Sequence, residues 1–176
     1  VQYLSQILAE IALGHLKIPK FQRPVVWEWD RQLDLLRSIR DGIPMGAVMV
    51  WRTNTNRIRS YENFGKLKLP TSSSTGANVY LLDGVQRLST LIAALSKDLQ
   101  KDVNESKELD LEELDNLNSD PRKAYFDLKE EDFVAIDPDS VEFGRHLDLS
   151  ILYDSVELLK FQRQLPEVNV ERRIRL

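Results

Sequence analysis

An aspartate, a glycine and an arginine stand close together where a predicted strand meets a predicted helix. Residues 79–91 read VYLLDGVQRLSTL, an apolar run that passes through Asp83 and Gly84 into helical spacing. A helix N-terminus exposes unpaired backbone N–H groups and the positive end of its dipole, and a preceding glycine lets a ligand approach the backbone. Arg87 adds a planar set of donors that fits phosphate oxygens. These residue types predict an anion site at the turn.

The same turn has a purely structural interpretation. Asp-Gly before a helix is a common cap and turn signal, so Asp83 could act only as the N-cap. A bound Mg²⁺ needs only one or two protein oxygens beside a phosphate, so Asp83 is also a candidate metal ligand, although the cap is the favoured role. The helix would pack on the sheet through its apolar positions Val85, Leu88, Leu91, Ile92 and Leu95.

A second segment, residues 18–27, reads IPKFQRPVVW and is rich in proline, aromatic and cationic residues. It lies between two helical patterns, which predicts a structured loop. Arg23 could hold this loop by pairing with a carboxylate, or it could converge with Arg87 on one anion. Phe21 and Trp27 are expected to anchor the loop in the core rather than to stack on a base.

With a third segment, these two resemble the N-terminal domain of GmrSD-type modification-dependent restriction proteins. The third segment is SIRDGIPMG at residues 38–46, followed by AVMVW at residues 47–51. The family pattern, IPxFQRPxVW and later LDGQQRLTTL, is matched in order across residues 18–91. Val85 stands where the family usually has the first glutamine of its DGQQR motif, and Ser89 replaces a threonine. A valine cannot make the hydrogen bonds of that glutamine.

The resemblance implies an α+β fold like that of ParB and sulfiredoxin, in which helices pack on a mixed sheet. It also implies a part in bacterial defence against phage, as a regulator that binds or hydrolyses a nucleoside triphosphate. Asp83 is then the expected catalytic residue and the ligand of an accompanying Mg²⁺. The residues expected to bind the nucleotide are Gln22, Arg23, Gly84, Gln86 and Arg87.

Two other functions use the same residues. A non-enzymatic DNA-sensing or interaction module would bind a nucleic-acid phosphate through the same arginines. A ParB-like nuclease comes last, because His15 and His146 are the only histidines and no metal-binding or nuclease pattern surrounds them. Nuclease activity of this chain itself is therefore not expected.

Composition sets further bounds. A length of 176 residues with 42% hydrophobic residues predicts a single domain over residues 1–176, which we expect to be a piece of a longer protein with a nuclease or helical domain downstream. The absence of cysteine excludes disulfides and thiolate catalysis. A net charge of −4 argues against direct coating of DNA, so DNA is expected to be reached through the full-length protein. No apolar span or signal peptide is evident, which predicts a cytoplasmic protein without a membrane partner.

Periodicity outlines the remaining elements. A helix is predicted from an N-cap at Asp30 to Gly42, with Leu33, Leu36 and Ile39 on its apolar face. Residues 47–51 predict a strand covered on both faces, and residues 101–120 an acidic insertion. Residues 124–128 and 133–136 predict a hairpin that extends the sheet, and residues 154–164 a final helix.

Overall fold

The computed structural model describes residues 6–7, 10–11, 13, 15–22, 27–55, 57–61, 63–64, 67–68, 78–95 and 120–165. Within them, the helices are α1 (Trp29–Arg40), α2 (Val85–Leu95) and α3 (Ser155–Gln164), and residues 6, 7, 10 and 11 are also helical. The strands are β1 (Leu16–Lys17), β2 (Met49–Thr53), β3 (Asn63–Phe64), β4 (Leu67–Lys68), β5 (Asn78–Asp83), β6 (Lys123–Asp127), β7 (Asp132–Ile136) and β8 (His146–Asp148). This arrangement confirms the α+β class, whereas the likeness to ParB and sulfiredoxin stays a prediction.

The strand that leads to the predicted anion site is the centre of a mixed sheet. β5 pairs in parallel with β1, and on its other side it pairs antiparallel with β2. Its residues from Val79 to Leu81 are buried, as the apolar run predicts. β5 is therefore held from both sides at Val79 and Tyr80, and its last residue, Asp83, pairs with Met49 of β2.

α2 is buried on two faces because it lies between two apolar clusters. On one face, Val85, Leu88 and Ile92 pack with the central strand and β1. On the other face, Leu91 and Ala94 pack with leucines of α1 and with Ala124 of β6. The start of α2 is consequently fixed relative to both parts of the core.

The predicted hairpin is confirmed, but its place was wrong. β6 and β7 pair antiparallel, and β8 occupies the other edge of β6, so the three strands form a separate sheet. The hairpin packs on α1, where Arg37 forms an ion pair with Asp132 at 2.8 Å. The hairpin therefore belongs to a second sheet beside α1 and does not extend the first sheet.

Three further expectations were wrong in detail. Glu28 precedes the first residue of α1, so Asp30 lies inside the first turn and is not the N-cap. Ile39 is exposed near the end of that helix. β2 is an edge strand with exposed Met49 and Val50, not a strand covered on both faces, and Trp51 is half-buried against Tyr80.

The remaining predictions concern the final helix, the acidic insertion and membrane-spanning segments. The final helix is confirmed, and Asp154 caps it by accepting hydrogen bonds from the backbone N–H groups of Val156 and Glu157. The predicted insertion at residues 101–120 lies outside the described residues except for Asp120, which accepts a hydrogen bond from Trp29 Nε1 at 2.8 Å. No described helix is both long and apolar enough to cross a membrane.

Candidate functional site

Gly84 joins the end of β5 to the start of α2. Its φ is +96°, in the left-handed region that glycine adopts without strain. A Cβ atom at this position would also lie 3.1 Å from Cγ2 of Val48. The carbonyl of Gly84 accepts the first hydrogen bond of the helix, from the N–H of Leu88 at 2.9 Å. The backbone conformation thus favours glycine at the predicted anion turn, and any larger residue would also have to displace Val48 slightly.

Arg87 reaches back from the first turn of α2 and is held in place. Its Nη1 donates to the carbonyl of Met45 at 2.9 Å, and its Nη2 pairs with Oδ2 of Asp83 at 2.9 Å. A Cβ atom at Gly46, which has a φ of +89°, would overlap Nη1. Only 18% of the Arg87 side chain is exposed. The guanidinium is therefore preorganised, with Nε–H and further N–H groups still available to a ligand.

Asp83 is not the cap of α2. It is the last residue of β5, and its side-chain partner among the described residues is Arg87. Its carboxylate is 67% exposed, and Oδ1 accepts no hydrogen bond from the described part of the chain. The cap interpretation is therefore wrong, while the expected role of Asp83 in binding Mg²⁺ stays a prediction.

Gln22 and Gln86 fasten the second segment to the turn. Gln22 Nε2 donates to the carbonyl of Leu82 at 2.7 Å, directly before Asp83. Gln86 Oε1 accepts the backbone N–H of Trp27 at 3.1 Å. The two glutamines link segments that lie about sixty residues apart in the sequence. Arg23 lies outside the described residues, so its expected convergence with Arg87 stays a prediction.

These residues border one open cavity of about 1010 Å³. Five of the six predicted site residues line it: Gln22, Asp83, Gly84, Gln86 and Arg87. Seven others also line it: Val85 of the motif, and six that the sequence did not identify, namely Phe21, Trp27, Glu28, Asp30, Arg31 and Met45.

Arg31 differs from the other arginine of the cavity. It lies on the exposed face of α1, and within the described residues its side chain has no hydrogen bond or ion pair, whereas Arg87 is bound to Asp83. The sequence favoured an exposed surface position for it, within a run of cations that could form a basic patch, and did not place it at the anion turn. A cation without a partner is free to meet an anion that enters the cavity.

The described residues contain no group of three or more side chains of the kind that commonly hold a metal. Glu28, Asp30 and Asp83 all line the cavity, so oxygen ligands for a hard cation are present there. His146 is committed elsewhere, because its Nδ1 accepts the N–H of Glu142 at 2.9 Å beside β6.

The chain matches a family model described as GmrSD restriction endonuclease, N-terminal domain, over residues 4–169. A comparison with curated proteins finds no match. The family match covers both segments that border the cavity and nearly the whole chain.

Proposed function

The chain belongs to the family of GmrSD restriction endonuclease N-terminal domains, and from this premise we propose that its open cavity binds a nucleoside triphosphate together with Mg²⁺. The observation that carries the proposal is the convergence on one cavity of a helix start at Gly84, the anchored Arg87 and Arg31, which has no side-chain partner among the described residues. Backbone N–H groups and guanidinium groups are suited to phosphate oxygens. The volume of about 1010 Å³ is at the upper end of the ~300–1,000 Å³ typical of small-molecule sites.

The charge of the cavity supports a metal as part of the ligand. Three carboxylates face two guanidinium groups among the described lining residues, so a bare triphosphate would meet net negative charge. Asp83 can offer Oδ1 to a cation while Oδ2 stays paired with Arg87. Mg²⁺ bound there would neutralise phosphate charge and act as a Lewis acid.

Hydrolysis is the further step of this proposal. The oxygen of a water molecule would form a bond to the γ-phosphorus, the bond from that phosphorus to the bridging oxygen would break, and the proton of the water would pass to phosphate or solvent. Arg31 and Arg87 would stabilise the charge on the transferred group, and Asp83 would orient the water.

The role in the whole restriction protein follows from the same proposal. Nucleotide occupancy of this domain would regulate a nuclease domain elsewhere in the polypeptide, and DNA would be bound by the full-length protein. The domain would then act as the regulatory part of a defence system against phage.

Thermal melting with each of the four nucleoside triphosphates and Mg²⁺ tests the proposal. A ligand at about 100 times its Kd adds roughly 2.7 kcal/mol to the free energy of unfolding, which raises the melting temperature. Arg31→Ala should reduce that rise and leave the melting temperature of the unliganded protein unchanged, because Arg31 has no partner among the described residues. Arg163→Ala is the matched control, since Arg163 is an exposed arginine on α3 outside the cavity.

The proposal fails if no triphosphate at millimolar concentration shifts the melting temperature. It also fails if Arg31→Ala and Arg163→Ala respond to every ligand like the parent protein, because the cavity would then not be the binding site.

A second candidate, the non-enzymatic DNA-sensing module, is favoured by three exposed cations outside the cavity. Lys20, Arg57 and Arg59 have no side-chain partner among the described residues, and the N–H of Lys20 bonds to the carbonyl of Arg59 at 2.8 Å. The net charge of −4 opposes this candidate. Tight binding of duplex DNA at physiological salt, lost on replacement of Arg57 and Arg59 by alanine, would place this candidate ahead of the nucleotide site.

A further inference from the structure

Phe21 is a large aromatic residue that is exposed to solvent in this fold. The sequence predicted it as a core anchor, but 64% of it is exposed and it lines the cavity. Trp27 was predicted as a core anchor in the same way. It is partly buried and packs against the apolar cluster that contains Leu91 and Ala94. A single exposed aromatic residue needs no functional explanation by itself. The surroundings of Phe21 therefore decide whether it has a role in binding.

The backbone on both sides of Phe21 is tightly held. Pro19 is buried and forms a bridge with Ser60, and the N–H of Lys20 donates to Arg59. The N–H of Gln22 closes a turn to the carbonyl of Pro19 at 3.0 Å. A ring carried on such a turn loses little backbone freedom when a ligand stacks on it.

The same anchoring brings Phe21 close to the phosphate turn. Gln22, the next residue, donates through Nε2 to the carbonyl of Leu82, which precedes Asp83. Tyr61 Oη donates to the carbonyls of Lys20 and Gln22 at 3.2 and 3.4 Å and holds the turn from its other side. Phe21 is thus tied to the strand end that would hold the phosphates.

We propose that Phe21 is the stacking platform for the nucleobase of the bound triphosphate. This inference rests on the proposed function, because it takes the phosphates to lie at Gly84, Arg31 and Arg87. Every base has a π-face, so stacking on phenylalanine binds all four bases with little discrimination. The ring adds affinity for a nucleoside that the phosphates alone do not supply.

Calorimetric titration with two ligands separates the base from the phosphates. Each protein is titrated with ATP and Mg²⁺, and separately with inorganic tripolyphosphate and Mg²⁺. Loss of one stacking contact weakens binding of a base by roughly 5- to 150-fold. Phe21→Ala should show this loss for ATP and keep the parent's affinity for tripolyphosphate.

Three further variants sharpen the test. Phe21→Trp should retain ATP affinity, because it keeps a flat π-surface. Phe21→Leu should lose it although it keeps an apolar side chain that folds in the same place. Phe143→Ala is the matched control, since Phe143 is 66% exposed and lies outside the cavity; it should bind both ligands like the parent.

The outcomes distinguish this inference from the proposed function. If the parent binds neither ligand, the nucleotide site itself is wrong. If Phe21→Ala and Phe21→Leu bind ATP like the parent, only the stacking role is wrong. Equal loss of ATP and tripolyphosphate in both variants would also overturn it, because Phe21 would then support the turn and not the base.

Discussion

Arg87 and Asp83 pair across the turn between β5 and α2, and this pair decides how the site meets a ligand. Arg87 is largely buried and bound to a main-chain carbonyl, whereas Asp83 is exposed and bound to nothing else in the described residues. An incoming phosphate must share the guanidinium with this carboxylate. A metal that takes the free oxygen of Asp83 would leave the pair intact.

Asp83→Asn separates a metal ligand from a simple partner of Arg87. Exposed ion pairs contribute only about 0–1 kcal/mol, so the variant should melt close to the parent. We expect it to lose the Mg²⁺ dependence of triphosphate binding and any hydrolysis, because an amide is a poor ligand for this cation. Kd values measured with and without Mg²⁺ check this. Asp41→Asn is the control, since Asp41 is also paired with an arginine, Arg40, but lies outside the cavity.

Asp83→Asn with an unchanged Mg²⁺ dependence would contradict the metal role. Tighter binding without Mg²⁺ would instead show that Asp83 only competes with phosphate for Arg87.

Val85 is the second residue at which a substitution is informative. It is 7% exposed and packs in the apolar cluster with Val79 and Leu88. Val85→Gln restores the family's DGQQR motif, and burial of an unbonded amide costs about 1–3 kcal/mol. We therefore expect a lower melting temperature together with faster triphosphate hydrolysis, measured as phosphate release.

Val79→Gln is the matched control for Val85→Gln. Val79 belongs to the same buried cluster but does not line the cavity, so its replacement should destabilise the protein without any gain in hydrolysis. A hydrolysis rate in Val85→Gln no higher than in the parent would show that Val85 does not limit turnover.

At the scale of elements, the connection from α1 to β2 shapes one wall of the site. α1 ends at Arg40, and in the turn that follows the N–H groups of Gly42 and Ile43 bond back to the carbonyls of Ile39 and Ser38 in a Schellman motif. The chain then passes Met45 and Gly46, where Arg87 is bound. This connection therefore orients the arginine although no predicted site residue lies in it.

Gly46→Ala and Gly42→Ala form a matched pair that tests this coupling. Both glycines have positive φ, so each alanine should cost about 1–2 kcal/mol of backbone strain. A Cβ at Gly42 meets nothing within 4 Å, whereas one at Gly46 overlaps the guanidinium of Arg87. We expect only Gly46→Ala to weaken triphosphate binding, measured by calorimetry. Equal affinities in the two variants would refute the coupling.

At the scale of the whole molecule, two paired carboxylates hold the second sheet: Asp127 pairs with Arg145 beside β8, and Asp132 joins the sheet to Arg37 of α1. Burial by itself raises the pKa of Asp127, which is 2% exposed, but hydrogen bonds from backbone N–H groups and the side chain of Arg145 hold the pKa below its usual value. The side-chain hydrogen bond from Arg37 is the main reason that the pKa of Asp132 is lowered, although burial opposes it. Both groups favour the folded state only while they are ionised.

Acid should therefore destabilise the protein through these groups. A carboxyl whose pKa is lowered on folding contributes its full stabilisation above its unfolded pKa, about 3.9, and loses it as the pH falls through the folded value. We expect the free energy of unfolding to fall as the pH drops below about 4. Urea denaturation at a series of pH values measures this.

Asp127→Asn should lower stability at neutral pH and flatten the acid part of that curve. Asp139→Asn is the control, because the carboxylate of Asp139 is exposed and bonds to none of the described residues. An acid slope in Asp127→Asn as steep as in the parent would contradict this assignment.

Local features of the sequence were enough to predict the core of the candidate site. The apolar run of β5, the glycine at the turn and the helical spacing of α2 act over a few residues, so a single sequence records them. The caps and ends of other helices, at Asp154 and Gly42, and the β6–β7 hairpin are predictable for the same reason. Five of the six predicted site residues line the same cavity.

Only the tertiary structure decided what surrounds that core. Whether Phe21 is buried, whether Arg31 faces a cavity and whether β2 is covered all depend on segments distant along the chain. The carbonyl that binds Arg87 belongs to Met45, forty-two residues away, and periodicity carries no information about such partners. Sequence alone therefore determined the local turn and its helix, whereas packing between distant segments determined which side chains reach the site and which of its charges are paired.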